Sequence, residues 1–309
     1  MNDQQEKEIA ITPVIGRFAP SPTGPLHFGT LLAALGSYLF AKCSGGLWLL
    51  RIEDLDQPRT IPGSADAILN LLETLGFEWD GEVVYQSCRY GRYRQILEEL
   101  DEGRQVFACS CTRREILASA PQVGEDGPVY PGTCRDGAYG KRSERAIRLR
   151  VPDENICYCD GVLGSQSQNL EKDVGDFVLH RVDGVFAYQL AVVVDDIDVG
   201  VTQVVRGADL LSSTPRQIYL YRCLNVVPPD YFHLPLAFGD NGKKLSKRNG
   251  KIGLVDVKNG SQMLWWALEF LGQSPPEELC HVTPVELLCW GRENFQAATI
   301  PAENRQIKF

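Results

Sequence analysis

The chain has 309 residues, 44% of them hydrophobic and 23% charged, which is enough apolar material for one large or two modest domains. Its 31 basic and 40 acidic residues leave a net charge of −9, which argues against a general nucleic-acid binder while leaving room for a local basic surface. Ten cysteines behind a polar N-terminus (MNDQQEKEIA) with no signal-like apolar core read as thiols and candidate metal ligands, and without any run of about 18 apolar residues the expectation is a cytoplasmic protein with no membrane span.

In chain order, VIGRFAP (14–20) is a short apolar strand entering a Pro/Gly turn, and Leu31 to Cys43 is a helical run. GLWLLRIED (46–54) is a continuous apolar stretch ending in acid, the pattern of a buried parallel strand whose C-terminal end opens into a site. A helix follows from about Pro62 to Gly76, with proline near its first turn and glycine at its end. Residues 106 to 185 carry both C-x-C pairs and read as an irregular, cysteine-bearing insertion. YQLAVVVDD (188–196) and TQVVRG (202–207) read as strands, and Ser212 to Asn225 as a helix opened by Ser/Thr and Pro. The alternation predicts an α/β, doubly wound parallel sheet. Cations concentrate in Arg135 to Arg150 and in Lys243 to Lys251, either of which is also compatible with a solvated face.

The turn APSPTGPLHFGT (19–30) lies between a strand end and a helix start, where unpaired backbone N–H groups and the positive end of the helix dipole favour a phosphate. His27 can donate to a phosphate oxygen, and Gly29 allows close packing of a nucleotide on the helix. Such a turn by itself is also an ordinary loop. Its pairing with KLSKR (244–248) is more specific, because HFGT and KLSKR resemble, in order, the H-I-G-H and K-M-S-K-S signatures of class I aminoacyl-tRNA synthetases. The last histidine of the first signature is Thr30 here, and the last serine of the second is Arg248.

RFAPSPTGPLHFG, RIEDLDQPR, FAYQLAVVVDD and GVTQVVRGADLL resemble the glutamyl branch of that family, over about Arg17 to Lys251. The resemblance implies a Rossmann-like catalytic sheet in two halves (1–105 and 186–253), a zinc-bearing, acceptor-binding insertion (106–185) and a short helical C-terminal segment (254–309) in place of a full anticodon-binding domain. It implies ATP binding by Pro20, His27, Gly29, Thr30 and Lys247, with His27, Lys247 and Lys244 as catalytic groups and Mg²⁺ accompanying ATP. Glutamate has two carboxylates and one ammonium, so its pocket needs at least two cations and an anion. Arg17 and Arg206 are implied for the carboxylates, Glu53 for the ammonium, Tyr188 for closing the pocket, and Ala19 and Ser21 for its wall.

The same resemblance implies one structural Zn²⁺ on Cys109, Cys111, Tyr130 and Cys134. Cys157 and Cys159 form a competing donor pair, and reduced buried thiols remain the simpler alternative. Within the glutamyl branch, chains of this length with this cysteine pattern resemble enzymes that join L-glutamate to the queuosine base of tRNA(Asp), where the anticodon is itself the substrate. An ordinary glutamyl-tRNA synthetase activity, another adenylate-forming ligase and a non-catalytic tRNA- or nucleotide-binding module are the alternatives.

Overall fold

The computed structural model of the chain describes residues 13–137, 145–239 and 253–307. The KLSKR segment with Lys244 and Lys247 lies outside them, as do the polar N-terminus and Lys141 and Arg142 of the first basic run.

Strand β1 (Ile15–Phe18) leads through the Pro/Gly turn into helix α1 (Phe28–Cys43) and then β2 (Leu47–Ile52), which pairs with β1 in parallel from Ile15↔Leu47 to Phe18↔Leu50. Helix α1 is buried around most of its circumference, through Phe28, Leu31, Leu35 and Leu39, as expected of a helix held between a sheet and further helices. Gly36 makes the approach possible: a Cβ there would stand 2.5 Å from Leu234 Cδ1. Helix α2 (Ser64–Thr74), strand β3 (Val84–Tyr85) and helix α3 (Tyr90–Glu102) complete this half, with β3 parallel to β2.

The stretch expected to be irregular instead contains short paired strands between its loops. After β4 (Val106–Cys109) and α4 (Arg113–Ser119) come a tight hairpin of β5 (Val123–Gly124) and β6 (Gly127–Pro128), then β7 (Ala146–Leu149), β8 (Asn155–Asp160), β9 (Gly164–Asn169), α5 (Leu170–Asp173) and β10 (Phe177–His180). Strands β10, β7 and β4 form an antiparallel sheet. These strands are short, and β9 reads GSQSQN; their order comes from cross-strand pairing, which periodicity along one strand does not reveal.

A second correction concerns YQLAVVVDD, which is helix α6 (Tyr188–Asp198) and not a strand. A short apolar run buried on every side has the same periodicity in either conformation. The decisive signal follows it: Gly200 takes a left-handed φ of 69°, with Gly200 N–H donating to Ile197 O and Val201 N–H to Asp196 O, a Schellman stop. Strand β11 (Gln203–Gly207), a 3-10 turn over Ala208–Ser213, helix α7 (Thr214–Cys223) and strand β12 (Asp230–Leu234) follow.

Strand β11 runs parallel to β12 and lies beside β1, where Thr202 N–H donates to Ile15 O at 3.0 Å and Ile15 N–H to Thr202 Oγ1 at 2.9 Å. The spatial order β3-β2-β1-β11-β12 reverses direction between β1 and β11, the place where an open α/β sheet forms its crevice. Val204 and Val205 on β11 enter different cores, one on each face of the sheet. One core gathers α1 and α2 with helices α8 (Gly260–Phe270) and α9 (Pro284–Asn294); the other gathers α3, α6 and α7. The parallel pair of β13 (Ala237–Phe238) and β14 (Arg305–Gln306) ties the C-terminal segment back to the end of the sheet. Among the described residues no helix is long and apolar enough to cross a membrane.

Candidate active site

At the C-terminal ends of β1, β2 and β11 lies a cavity of about 600 Å³. Arg17, Ala19, Pro20, Ser21, His27, Gly29, Thr30, Glu53, Tyr188 and Arg206 all line it. The reason is topological: parallel strands point the same way, so residues at the ends of three different strands meet at one rim. His27 occupies the N-cap position of α1, with extended backbone, and its side chain does not cap the helix. The helix start is clamped from the other end of the chain, since Phe28 N–H donates to Gly253 O at 2.8 Å and Val255 N–H to Leu26 O at 3.0 Å.

The floor is a buried ionic network. Arg17 Nε donates to both oxygens of Asp196 at 3.3 and 3.2 Å, and Arg51 Nη1 donates to Asp196 Oδ1 at 2.5 Å. Arg51 Nη2 reaches Glu53 Oε1 at 3.4 Å. The neighbouring Asp195 accepts from Gln86, Arg89 and the Tyr93 hydroxyl at 2.8, 2.6 and 2.9 Å. Acids in the last turn of α6 oppose the helix dipole and persist because arginines surround them. Burial works against ionisation of Asp196, but Arg17 and Arg51 hold its carboxyl below the ordinary range. Burial dominates at Glu53 and raises its carboxyl above the ordinary range, against the pull of Arg51 and Arg17.

The far wall is centred on Arg206. Its Nη1 donates to the Tyr188 hydroxyl at 3.3 Å, Nη2 to Thr214 Oγ1 at 2.9 Å and Nε to His233 Nε2 at 3.1 Å. Its guanidinium carbon stands 5.4 Å from the ring centre of Tyr231. Arg51, Asp195, Asp196, Thr214 and His233 were not among the candidates drawn from the sequence. The two acids were hidden by reading α6 as a strand, and Thr214 and His233 belong to no motif.

The cysteine cluster lies apart from the cavity. Strand β4 ends at Cys109, and the Sγ atoms of Cys109, Cys111 and Cys134 all lie within 4.8 Å of one another. Cys111 and Cys134 are 3.6 Å apart, and the Tyr130 hydroxyl is 3.4 Å from Cys109 Sγ and accepts the Cys134 N–H at 2.9 Å. A tetrahedral zinc with bonds of about 2.3 Å to sulfur separates its ligands by roughly 3.8 Å, so these donors fit one. Burial, then the neighbouring thiols, push Cys111 up to about 12, a crowding that a bound dication relieves. Tyr130 is held by packing: Arg148 lies 3.9 Å over its ring, and Gly175 (φ 74°) is needed because a Cβ there would stand 2.4 Å from Tyr130 O. Cys157 and Cys159 are exposed on β8, and among the described residues only Cys109, Cys111 and Cys134 converge as a metal-capable group.

The sequence profile of tRNA synthetases class I (E and Q), catalytic domain, matches residues 13–275. The chain is 50% identical over 294 residues to the glutamyl-Q tRNA(Asp) synthetase of Dechloromonas aromatica, covering 95% of this chain and 97% of that protein. It is 51% identical over 295 residues to the protein of the same name from Geobacter sulfurreducens, covering 94% of each. Among solved structures, the glutamate-tRNA synthetase of Elizabethkingia anophelis superposes with a TM-score of 0.80 at 27% identity, over 96% of this chain and 68% of that one. A glutamate tRNA ligase from Elizabethkingia meningosepticum, solved in complex with its amino acid, gives 0.79 at 28% identity, over 96% and 67%. With a parallel sheet whose crevice gathers the residues of the first signature, and with relatives matching nearly end to end, the chain belongs to the class I family of glutamyl- and glutaminyl-tRNA synthetases.

Proposed function

We propose that the protein activates L-glutamate with ATP as glutamyl-adenylate and transfers the glutamate to the queuosine base at the wobble position of tRNA(Asp). The observation that carries this reading is half-identity along almost the whole length of relatives named for that reaction. The cavity supports its first step. It offers two arginines and one carboxylate to an amino acid with two carboxylates and one ammonium, beside a helix start suited to phosphate.

In activation, an oxygen of the glutamate α-carboxylate attacks the α-phosphorus of ATP. The bond to the bridging oxygen breaks and pyrophosphate leaves. Such a step is catalysed by alignment and by neutralising charge on the phosphoryl group. Arg17 and Arg206 hold the carboxylates, Glu53 the ammonium, and Tyr188 closes the pocket. Ala19 and Ser21 form the wall beside Arg17. Pro20, His27, Gly29 and Thr30 bind ATP at the helix start, and Lys247, with Lys244, supplies charge to the phosphates, which arrive with Mg²⁺. In transfer, a hydroxyl oxygen of the queuosine cyclopentene-diol attacks the activated carbonyl carbon, AMP leaves, and the hydroxyl loses its proton. Cys109, Cys111, Tyr130 and Cys134 would hold a structural zinc that ties the end of β4 to the following loop.

The structural likeness to glutamate-tRNA synthetases favours one alternative, charging of the terminal adenosine of tRNA(Glu). Incubation with labelled glutamate, ATP and tRNA(Asp) with or without queuosine, followed by nuclease digestion, separates the two. Label on the anticodon fragment, dependent on queuosine, is the expected result. Label on the terminal adenosine of unmodified tRNA(Glu) would overturn the transfer step and leave activation intact.

A further inference from the structure

Behind Arg206 lies a chain of groups to which neither step assigns a role. His233 on β12 and Asp160 at the end of β8 have side chains with 0% exposure, and His233 Nδ1 is 2.6 Å from Asp160 Oδ2. The other carboxylate oxygen, Oδ1, accepts the backbone N–H groups of Val162, Leu163 and His233 at 3.0, 2.9 and 3.2 Å. Those three bonds fix which oxygen faces the ring. On the other side of the ring, Nε2 is 3.1 Å from Arg206 Nε and 3.1 Å from Thr214 Oγ1.

Arginine has only donors, so Nε2 must accept, and the ring proton must sit on Nδ1, donated to Asp160. Either a proton on Nε2 or a doubly protonated ring would set two donors against each other. Burial first, and the charge of Arg206, also hold His233 below its ordinary range, against the upward pull of Asp160. With Nε held by His233 and Nη2 by Thr214, one edge of the Arg206 guanidinium is fixed, and with it the direction of its plane in the cavity.

We infer that Asp160 and His233 are positioning residues that aim the guanidinium of Arg206, and so set affinity and selectivity for the glutamate carboxylate. The inference rests on the reading of Arg206 as a carboxylate partner. Asp160→Asn tests it with almost no change of shape. Its oxygen stays against the three backbone N–H groups, its amide nitrogen faces His233 Nδ1, and the ring is driven to carry its proton on Nε2, against Arg206. The expected result, in glutamate-dependent pyrophosphate exchange, is a KM for glutamate raised about tenfold to a hundredfold, as for a lost hydrogen bond to a charged group. The maximal rate and the KM for ATP change far less, and preference for glutamate over glutamine narrows.

Imidazole ¹⁵N resonances read the tautomer directly: Nε2 of His233 should be pyridine-like in the parent and pyrrole-like in Asp160→Asn. A second pair covers failure of that variant to fold. His233→Gln restores an acceptor near Arg206 Nε and His233→Leu does not, while both lose the bond to Asp160; only the leucine variant should lose glutamate affinity. A protonated Nε2 in the parent, or equal glutamate KM in the glutamine and leucine variants, overturns the inference. Arg206→Lys separates the two levels: if it also leaves the glutamate KM unmoved, the assignment of Arg206 itself fails.

Discussion

His27, at the start of α1, and Leu254 pair as an isolated antiparallel bridge. Leu254, six residues after KLSKR in the sequence, therefore lies against the helix start that carries HFGT. Gly253 to Val255 thus pack on Leu26 to Phe28 at the rim of the cavity.

On the proposed role of Lys247 at the phosphates, Lys247→Ala should lower glutamate-dependent pyrophosphate exchange by two or more orders of magnitude, roughly the scale of losing one charge that acts in the transition state. The KM for glutamate should stay within a few-fold. Transfer from preformed glutamyl-adenylate should survive much better than activation. Exchange at the parent rate would remove Lys247 from the mechanism.

On the proposed role of Glu53 at the glutamate ammonium, its raised carboxyl should make amino-acid binding sensitive to pH. Only the ionised form attracts an ammonium, so kcat/KM for glutamate should fall on the acid side, beginning above the ordinary carboxylate range because burial holds Glu53 there. Glu53→Gln should depress kcat/KM throughout and abolish that limb. An acid limb unchanged in Glu53→Gln would assign it to another group.

Asp196 shows where sequence reading stops. The strand ends with Arg17, Glu53 and Arg206 were legible, because an apolar run ending in a charged residue is what a parallel strand opening into a site looks like. Two adjacent acids closing AVVVDD were not. Read as a strand, they would point to opposite faces; in a helix ended by Gly200 both lie among Arg17, Arg51 and Arg89. The pairing of Asp160 with His233 joins residues 73 positions apart with no motif between them. Replacing Asp196 by Ala leaves two buried guanidinium groups without their shared partner and should cost about 3–5 kcal/mol of stability. Urea unfolding measures it, and a loss below about 1 kcal/mol would show that water or rearrangement replaces the carboxylate.

His233 and Asp160 link stability to pH in the same direction. Burial holds His233 below its ordinary value, so the unfolded chain takes up a proton that the folded chain refuses. Its contribution is present above the ordinary histidine value of about 6.5 and is lost as pH falls below it. Burial works against ionisation of Asp160, yet the bonds from His233 and the Leu163 and Val162 backbone keep it below the ordinary carboxylate range, so its contribution is lost at still lower pH. Glu53, raised, acts oppositely near the carboxylate range. Urea midpoints should therefore drop as pH falls from 8 towards 5.5, with a slope of at most about 1.4 kcal/mol per pH unit per proton. His233→Gln should flatten that segment, and an unchanged slope would place the proton uptake elsewhere.

The last prediction concerns the cluster at the end of β4. Three sulfurs within 4.8 Å and a phenol at 3.4 Å could hold one soft-to-borderline cation, with Tyr130 anchored by Arg148 and by the close approach of Gly175. The purified protein should carry about one zinc per chain by elemental analysis, and Cys109→Ser or Cys134→Ser should lose it. Without a dication Cys111 keeps its proton, being pushed up to about 12 by burial and its neighbours. Removal by a chelator should therefore be easier at lower pH, because protons compete with the metal for sulfur. The cluster has its own small core of Phe107, Ile116 and Tyr130, separate from both faces of the main sheet. Metal loss should accordingly raise amide exchange in residues 106–137 well before it touches the cavity lined by Arg17 and Arg206, and pyrophosphate exchange should outlast it. Zinc retained in a Cys109→Ser, Cys111→Ser double variant but lost in Cys157→Ser would move the site to β8. Exchange activity that vanishes together with the metal would mean that the cluster supports the catalytic sheet itself.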